Sequence, residues 1–386
     1  MTIKSCSFVI VMTKFFFAIL PLMVCSMWTL HFLLDYILKR SIVTLRLLQF
    51  SFTAVVLYAG HAVFFMHANS LIPVSDTLYG MANLAVYPMY LLYIVQLTKG
   101  QIQFRHLLTL LPSLLCGLIY GILYYYMDEM EIHDFIEHHL YHDTFLGLSH
   151  SGLILAWMHQ FFKLVFLCNV LLIGWLGFKH LRHFEESVAQ AYADTEGRTL
   201  RPVHSMLWVF IIATLLSTVS VVVGRQFFQG SVTLLAIPST VFSILLYVVC
   251  YIGSKSMFSF AEYQAEQQAD EQAHPIEHLE TEAEIATRIK QIAEQIDHLM
   301  TDEKYYLKPD LRIGLVAREL GTNSKYVSMA FNQVIGAPFA DYVNSRRIAH
   351  AKELQQQQPN LTNTEIARNS GYESMQSFYR NIKKWG

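Results

Sequence analysis

Seven long apolar stretches constrain this chain before anything else does. A helix needs about 20 mostly apolar residues to cross the hydrocarbon core of a bilayer. Residues 15–34, 47–66, 78–97, 107–126, about 155–178, 206–224 and 234–252 meet that need. Lipid offers no partner to a backbone N–H or C=O, so stretches of this length are expected to be helices. Pro21, Pro88, Pro112 and Pro238 fall inside them and are expected as kinks, which a membrane bundle tolerates. Lys4 followed by an apolar run resembles a signal peptide, but no small-x-small cleavage site stands out before Tyr36. The run is therefore expected to be the first span.

Charge divides the chain into three. Residues 1–255 hold 14 Lys+Arg and 12 Asp+Glu, residues 256–303 hold 2 and 12, and residues 304–386 hold 12 and 6. An apolar part, an acidic part and a basic part follow in that order, which excludes a single soluble domain and a wholly disordered chain. The expected domains are a seven-span bundle over 1–255, an acidic helical linker over 256–284 and a basic domain over 285–386. The five cysteines, Cys6, Cys25, Cys116, Cys168 and Cys250, all lie in apolar stretches and are far apart. That excludes a disulfide scaffold and a CxxC metal site, and points to buried small hydrophobes.

Loop charge sets an expected orientation. Loops one, three and five carry Lys39, Arg40, Arg46, Lys99, Arg105, Lys179, Arg182, Arg198 and Arg201. The N-terminus and the even loops carry only Lys4, Lys14 and Arg225. The odd loops and the C-terminus are thus expected in the cytoplasm, with the N-terminus outside.

Within the acidic part, Ile285, Ile289, Ile292, Ile296 and Leu299 are spaced 4, 3, 4, 3. This stripe suits either a two-stranded coiled coil in a homodimer or a helix packing on the core of the next domain.

The basic part carries a repeated pattern. Residues 311–331 read LRIGLVARELGTNSKYVSMAF, with Ala317, Gly321 and Val327 at the spacing of a helix-turn-helix. A small residue fits where two helices cross closely, glycine takes the positive φ of the turn, and Val327 fills the angle between the helices. Asn323 or Ser324 can cap the second helix. Residues 364–382 read TEIARNSGYESMQSFYRNI and repeat the pattern with Ala367 and Gly371. Thr364 is expected to cap the first helix of this copy and Ser374 the second. A good helix, residues 339–356, joins the two copies. The expected fold class is all-α.

These residues resemble the AraC/XylS type of DNA-binding domain, in which a long helix joins two helix-turn-helix units. The resemblance rests on Ala317, Leu320, Gly321, Tyr326, Val327, Phe331, Gly336, Phe339, Tyr342, Arg347, Ile348, Ala351, Leu354, Ile366, Ala367, Gly371, Tyr372, Ser377, Phe378, Arg380 and Lys383–Lys384, over about the last 100 residues. Ile382 stands where the family usually has Phe. Seven spans joined to such a domain resemble, in architecture, a group of bacterial membrane-bound regulators sited in the inner membrane.

The resemblance implies reading of double-stranded DNA in the major groove by the second helix of each unit. On the first, Ser324, Lys325, Ser328 and Asn332 are expected to face outward. On the second the outward set is Met375, Gln376, Tyr379, Arg380 and Lys383. Arg346, Arg347 and Lys384 are expected on phosphates.

Sensor candidates are His61, His159, Lys163 and Arg225, ionisable groups near or within spans, where charge is costly and faces the bundle interior. Lys163 and Arg225 suit an anionic ligand. In loop four, Asp134, His138 and His142 recur every four residues, so an α-helix would align them as zinc-type ligands; His133, Glu137 and His139 are neighbours. No cofactor is implied, and GxSxG, P-loop, GxGxxG and HExxH motifs are absent. Two other readings remain at this stage. One is a transporter or receptor with a protein-interaction tail, the other a membrane enzyme using the loop-four histidines with a metal.

Overall fold

The computed structural model describes residues 2–194, 200–223, 227–228, 231–255, 259–273 and 282–386. Among these residues there is no strand, and the fold is all-α. The chain divides into two compact units, one of Met1–Leu181 with Arg201–Ser256 and one of Arg182–Leu200 with Met257–Gly386.

The first unit holds α1 (Thr2–Lys39), α2 (Ile42–Phe65), α3 (Ile72–Lys99), α4 (Leu111–Tyr126), most of α5 (His150–Ala191), α6 (Arg201–Val223) and α7 (Val232–Ser254). Neighbours in sequence pack together from α1 to α4, α7 packs on α1, and α6 packs on α7. Six described helices are long and apolar enough to cross a membrane: Val11–Lys39, Ile42–Phe65, Asn69–Lys99, Phe104–Tyr126, His150–Ala191 and Val232–Ser254. The remaining predicted stretch falls on α6, whose shorter apolar run is Val203–Leu216.

Large apolar side chains stand outward on these helices, among them Leu38, Leu114, Leu164, Leu171 and Trp175. A soluble unit rarely exposes contiguous apolar surface on this scale, whereas lipid covers it without cost. Pro21, Pro88 and Pro238 lie inside helices as expected, but Pro112 sits in the first turn of α4, where its missing N–H costs nothing. Cys25, Cys116 and Cys250 are buried; Cys168 faces outward instead. Gly60 on α2 permits a close crossing with α3, since a Cβ there would lie 2.8 Å from Tyr79 Cβ and 3.0 Å from the Ser75 carbonyl.

The second unit begins with the last turns of α5, from Arg182, and continues with α8 (Phe260–Ala273) and α9 (Glu282–Thr301). The first helix-turn-helix is α10 (Ile313–Glu319) and α11 (Ser324–Ala330), the joining helix is α12 (Phe339–Gln357), and the second pair is α13 (Asn363–Asn369) and α14 (Met375–Trp385). Ile289, Ile292, Ile296 and Leu299 of α9 are buried in one core with Val316, Ala317, Val327, Phe331 and Phe339. The 4,3,4,3 stripe is therefore consumed by its own domain and leaves no apolar seam for a two-stranded coil. A smaller core beneath the second pair joins Ile348, Ala351, Ile366, Ala367, Tyr372 and Phe378.

Ile296 is fully buried, so Ile296→Ala should cost about 2–5 kcal/mol and loosen the whole tail. Urea unfolding followed by helical circular dichroism checks this. An unchanged midpoint would remove α9 from the core.

Candidate DNA interface

Each helix-turn-helix is set by local chemistry. Asn323 caps α11 by accepting from the Tyr326 N–H at 3.1 Å, and Ser374 caps α14 by accepting from the Ser377 N–H at 3.0 Å. Thr362, not Thr364, caps α13; with Glu365 it forms a reciprocal capping box, and those bonds hold the Glu365 carboxyl below its ordinary range. Gly321 and Gly371 turn the chain at φ +63° and +82°. At Gly371 a Cβ would lie 2.7 Å from the Leu307 carbonyl oxygen, so the position needs both the conformation and the space of glycine.

On α11, Lys325 is exposed and Ser328 half-buried, and Asn332 is exposed in the π-turn Phe331–Ile335 that follows. On α14, Gln376, Tyr379, Lys383 and Lys384 are exposed, Met375 packs partly on the smaller core, and Arg380 is half-covered.

Two expected contacts are not on the surface. Ser324 is buried in the first turn of α11, because Asn323 takes the capping position and turns Ser324 inward. Arg347 is fully buried on α12: its Nε donates to the Tyr306 carbonyl and its Nη2 to the Lys308 carbonyl, both at 2.7 Å, and its guanidinium lies 5.3 Å from the Tyr372 ring centre. Burial lowers its pKa from the ordinary value. Arg347 thus fastens the segment before the first helix-turn-helix to the second. Arg346 sits near the surface, 3.8 Å over the Tyr342 ring and 3.1 Å from Asp297 Oδ1; Lys384 donates to Asp341 at 2.6 Å.

Loop five also reaches this unit, which the sequence reading did not foresee. The Ala193 N–H donates to the Leu311 carbonyl at 2.9 Å, and Asn344 Nδ2 donates to the Ala193 carbonyl at 2.6 Å. Ser377 Oγ donates to Asp194 Oδ1 at 2.8 Å, with Arg380 Nη2 3.6 Å from the same oxygen.

In the first unit, the sensor candidates gather around a residue that was not singled out, Asp76 on α3. His159 Nε2 lies 3.0 Å from Asp76 Oδ2, and Tyr124 donates to that oxygen at 3.0 Å. A cavity of about 70 Å³ is lined by Asp76, Asn83, Cys116, Tyr120, His159 and Lys163 among others. A smaller one beside it joins His61 and Ser75 to Asp76 and Tyr79. Arg225 lies outside the described residues.

Loop four does not assemble its expected metal ligands. Its helix changes from α (Glu129–Asp134) to π (Phe135–Leu140), so a four-residue spacing no longer aligns side chains. His138 Nδ1 turns to the Asp134 carbonyl and His142 Nδ1 to the Glu137 carbonyl. Among the described residues no group of three or more His, Cys, Asp or Glu is placed to hold a metal. His139 is buried instead against Phe135, Phe145 and His159.

Two outcomes follow from this geometry. Arg347→Ala should destabilise the tail by about 3 kcal/mol or more by orphaning two buried carbonyls, and Arg347→Lys should not restore it, since one ammonium cannot span both. Thermal unfolding checks both variants; a wild-type midpoint for either refutes the assignment. Burial pulls His139 down from 6.5 to about 4. It stays neutral when folded while the unfolded loop takes up a proton, so stability is full above about 6.5 and falls as pH drops toward 4. Protection factors of the amides in Phe135–Leu140, which correct for the intrinsic slowing of exchange by acid, should therefore fall on acidification, and His139→Phe should flatten that response.

The helix-turn-helix domain family matches residues 316–385, from within α10 to the end of α14. Neither the curated proteins nor the solved structures gave a match. With two capped, glycine-turned helix pairs joined by α12, the C-terminal region is a helix-turn-helix domain of the AraC type, carried on a chain whose N-terminal helices are apolar enough to span a membrane.

Proposed function

We propose that this protein is a membrane-bound transcription regulator: the bundle senses a signal, and the tail binds DNA sequence-specifically from the membrane. The observation that carries this is the presence, in one chain, of the two-unit domain over 316–385 and of six apolar helices of spanning length. Within the tail, exposed Lys325, Asn332, Gln376, Tyr379 and Lys383 give the two recognition helices the side-chain chemistry for base edges and phosphates.

The reading of sensing is supported by Asp76, His159 and Lys163 around one cavity among apolar helices. Ionisable groups at such positions are costly, and a polar cavity gives them a use. The orientation in this proposal follows the Lys/Arg bias of the odd loops, with the C-terminal unit in the cytoplasm of a bacterial cell and the N-terminus outside. Interface dimerisation, if the protein uses it, falls to surfaces other than the buried stripe of α9.

Genome-wide mapping of DNA bound by the intact protein tests the function; absence of enriched sites overturns it. On an enriched site, Gln376→Ala should cost about 1–3 kcal/mol and relax preference at one position, whereas Lys325→Ala should weaken all sequences alike and flatten the salt dependence. Equal losses on specific and random DNA for Gln376→Ala would remove it from base reading. A reporter fused after Gly253 should read as cytoplasmic and one inserted near Asp143 as external, and the reverse result would put DNA out of reach.

A further inference from the structure

Loop five inserts three residues into the DNA-binding unit, and each engages a different part of it. Tyr192 forms a bridge with Arg312 at the entrance to α10, and its hydroxyl donates to Glu266 on α8 at 2.6 Å. Arg312 completes that corner by donating to the same Glu266 oxygen at 3.3 Å. Ala193 is buried in the main core, its N–H on Leu311 and its carbonyl held by Asn344 of the joining helix. Asp194 then meets the first turns of α14, accepting from Ser377 Oγ with Arg380 beside it. Arg380 Nη2 also donates to Ser377 Oγ at 3.1 Å, so hydroxyl, guanidinium and carboxylate form one closed group.

This group has the chemistry of a DNA contact. A serine hydroxyl and an arginine in the first turns of a recognition helix, near its N-terminal end, suit an oxyanion. The oxyanion here is a carboxylate of the same chain. It draws Arg380 inward, to 27% side-chain exposure, and Ser377 beneath it is fully buried. We propose that Asp194 is an internal stand-in for a DNA phosphate, and that loop five must leave the Ser377–Arg380 pair before α14 engages DNA fully. The inference rests on the reading of this domain as a DNA binder and names its regulation. Tyr192 and Ala193 anchor the carboxylate, and because they directly follow α5, the released or held state of Asp194 is set by the loop that α5 leads into.

The test uses the full chain in lipid nanodiscs and a DNA site mapped from the intact protein. Asp194→Asn keeps the shape and removes the charge. It should tighten DNA binding about threefold to tenfold, and the gain should vanish in an Arg380→Ala background. Tyr192→Phe loosens the anchor without touching α14 and should tighten binding in the same direction, by less; it also decides the case if Asp194→Asn fails to fold. Unchanged or weaker binding by the folded variants overturns the proposal. An equal gain with and without Arg380 overturns it as well, because the effect would then be general charge repulsion. If the wild-type chain and every variant bind no DNA at all, the reading of the domain itself fails, an outcome distinct from either.

Discussion

Arg347, held out of water on the joining helix, ties the tail together through two of its nitrogens, Nε and Nη2. Its Nε and Nη2 reach the Tyr306 and Lys308 carbonyls from two separate nitrogens, a fork that a single ammonium nitrogen does not offer. Its flat face lies beside Tyr372 of the second helix-turn-helix, whose hydroxyl burial pushes well above the ordinary tyrosine range. The approach to the first pair, the joining helix and the turn of the second pair thus share one cation. Gly371 belongs to the same knot, since a side chain there would press on Leu307 and on Arg347 Nε. One buried cation thereby helps fix the distance between the two helix pairs.

The bundle obeys a different constraint. Its outward surface is apolar, and polar groups turn to one another inside, as Asp76, Tyr124 and His159 do. Loop four closes over this cluster with Phe135 and His139, while its acidic Asp128, Glu129 and Asp143 stay exposed. The π-turn that carries them exchanges regular helical alignment for burial of both side chains.

Much of this was legible because lipid and helix geometry leave few options. Apolar length marked the spans, and the A-x3-G spacing with its repeat marked both helix pairs. What was missed depended on tertiary packing. Outward facing at Arg347 followed from charge type, but a buried carbonyl pair on another segment outbid solvent for it. Ser324 followed from position, and Asn323 took the cap first. Thr362 was readable from Thr362-Asn363-Thr364-Glu365, a capping-box spacing, had the helix been started two residues earlier. Asp76 lies just before the apolar run of its helix, so it did not count as a charge among spans. Nothing local marks Tyr192–Asp194 as part of the tail, because its partners stand from 74 to 183 residues away.

That separation has a consequence for how the protein comes to exist. Asp194 and Ser377 are 183 residues apart, and at 5–20 residues per second a ribosome takes about 10–40 s to make the second after the first. Through that interval the loop-five segment must stay out of other pairings while further helices enter the bilayer. The main core, too, remains open at Ala193 until Leu311 and Asn344 arrive. Completion of the C-terminal unit therefore waits until Asn344 and Ser377 have been made, and a chain stalled after its membrane segments carries Ala193 and Asp194 without those partners.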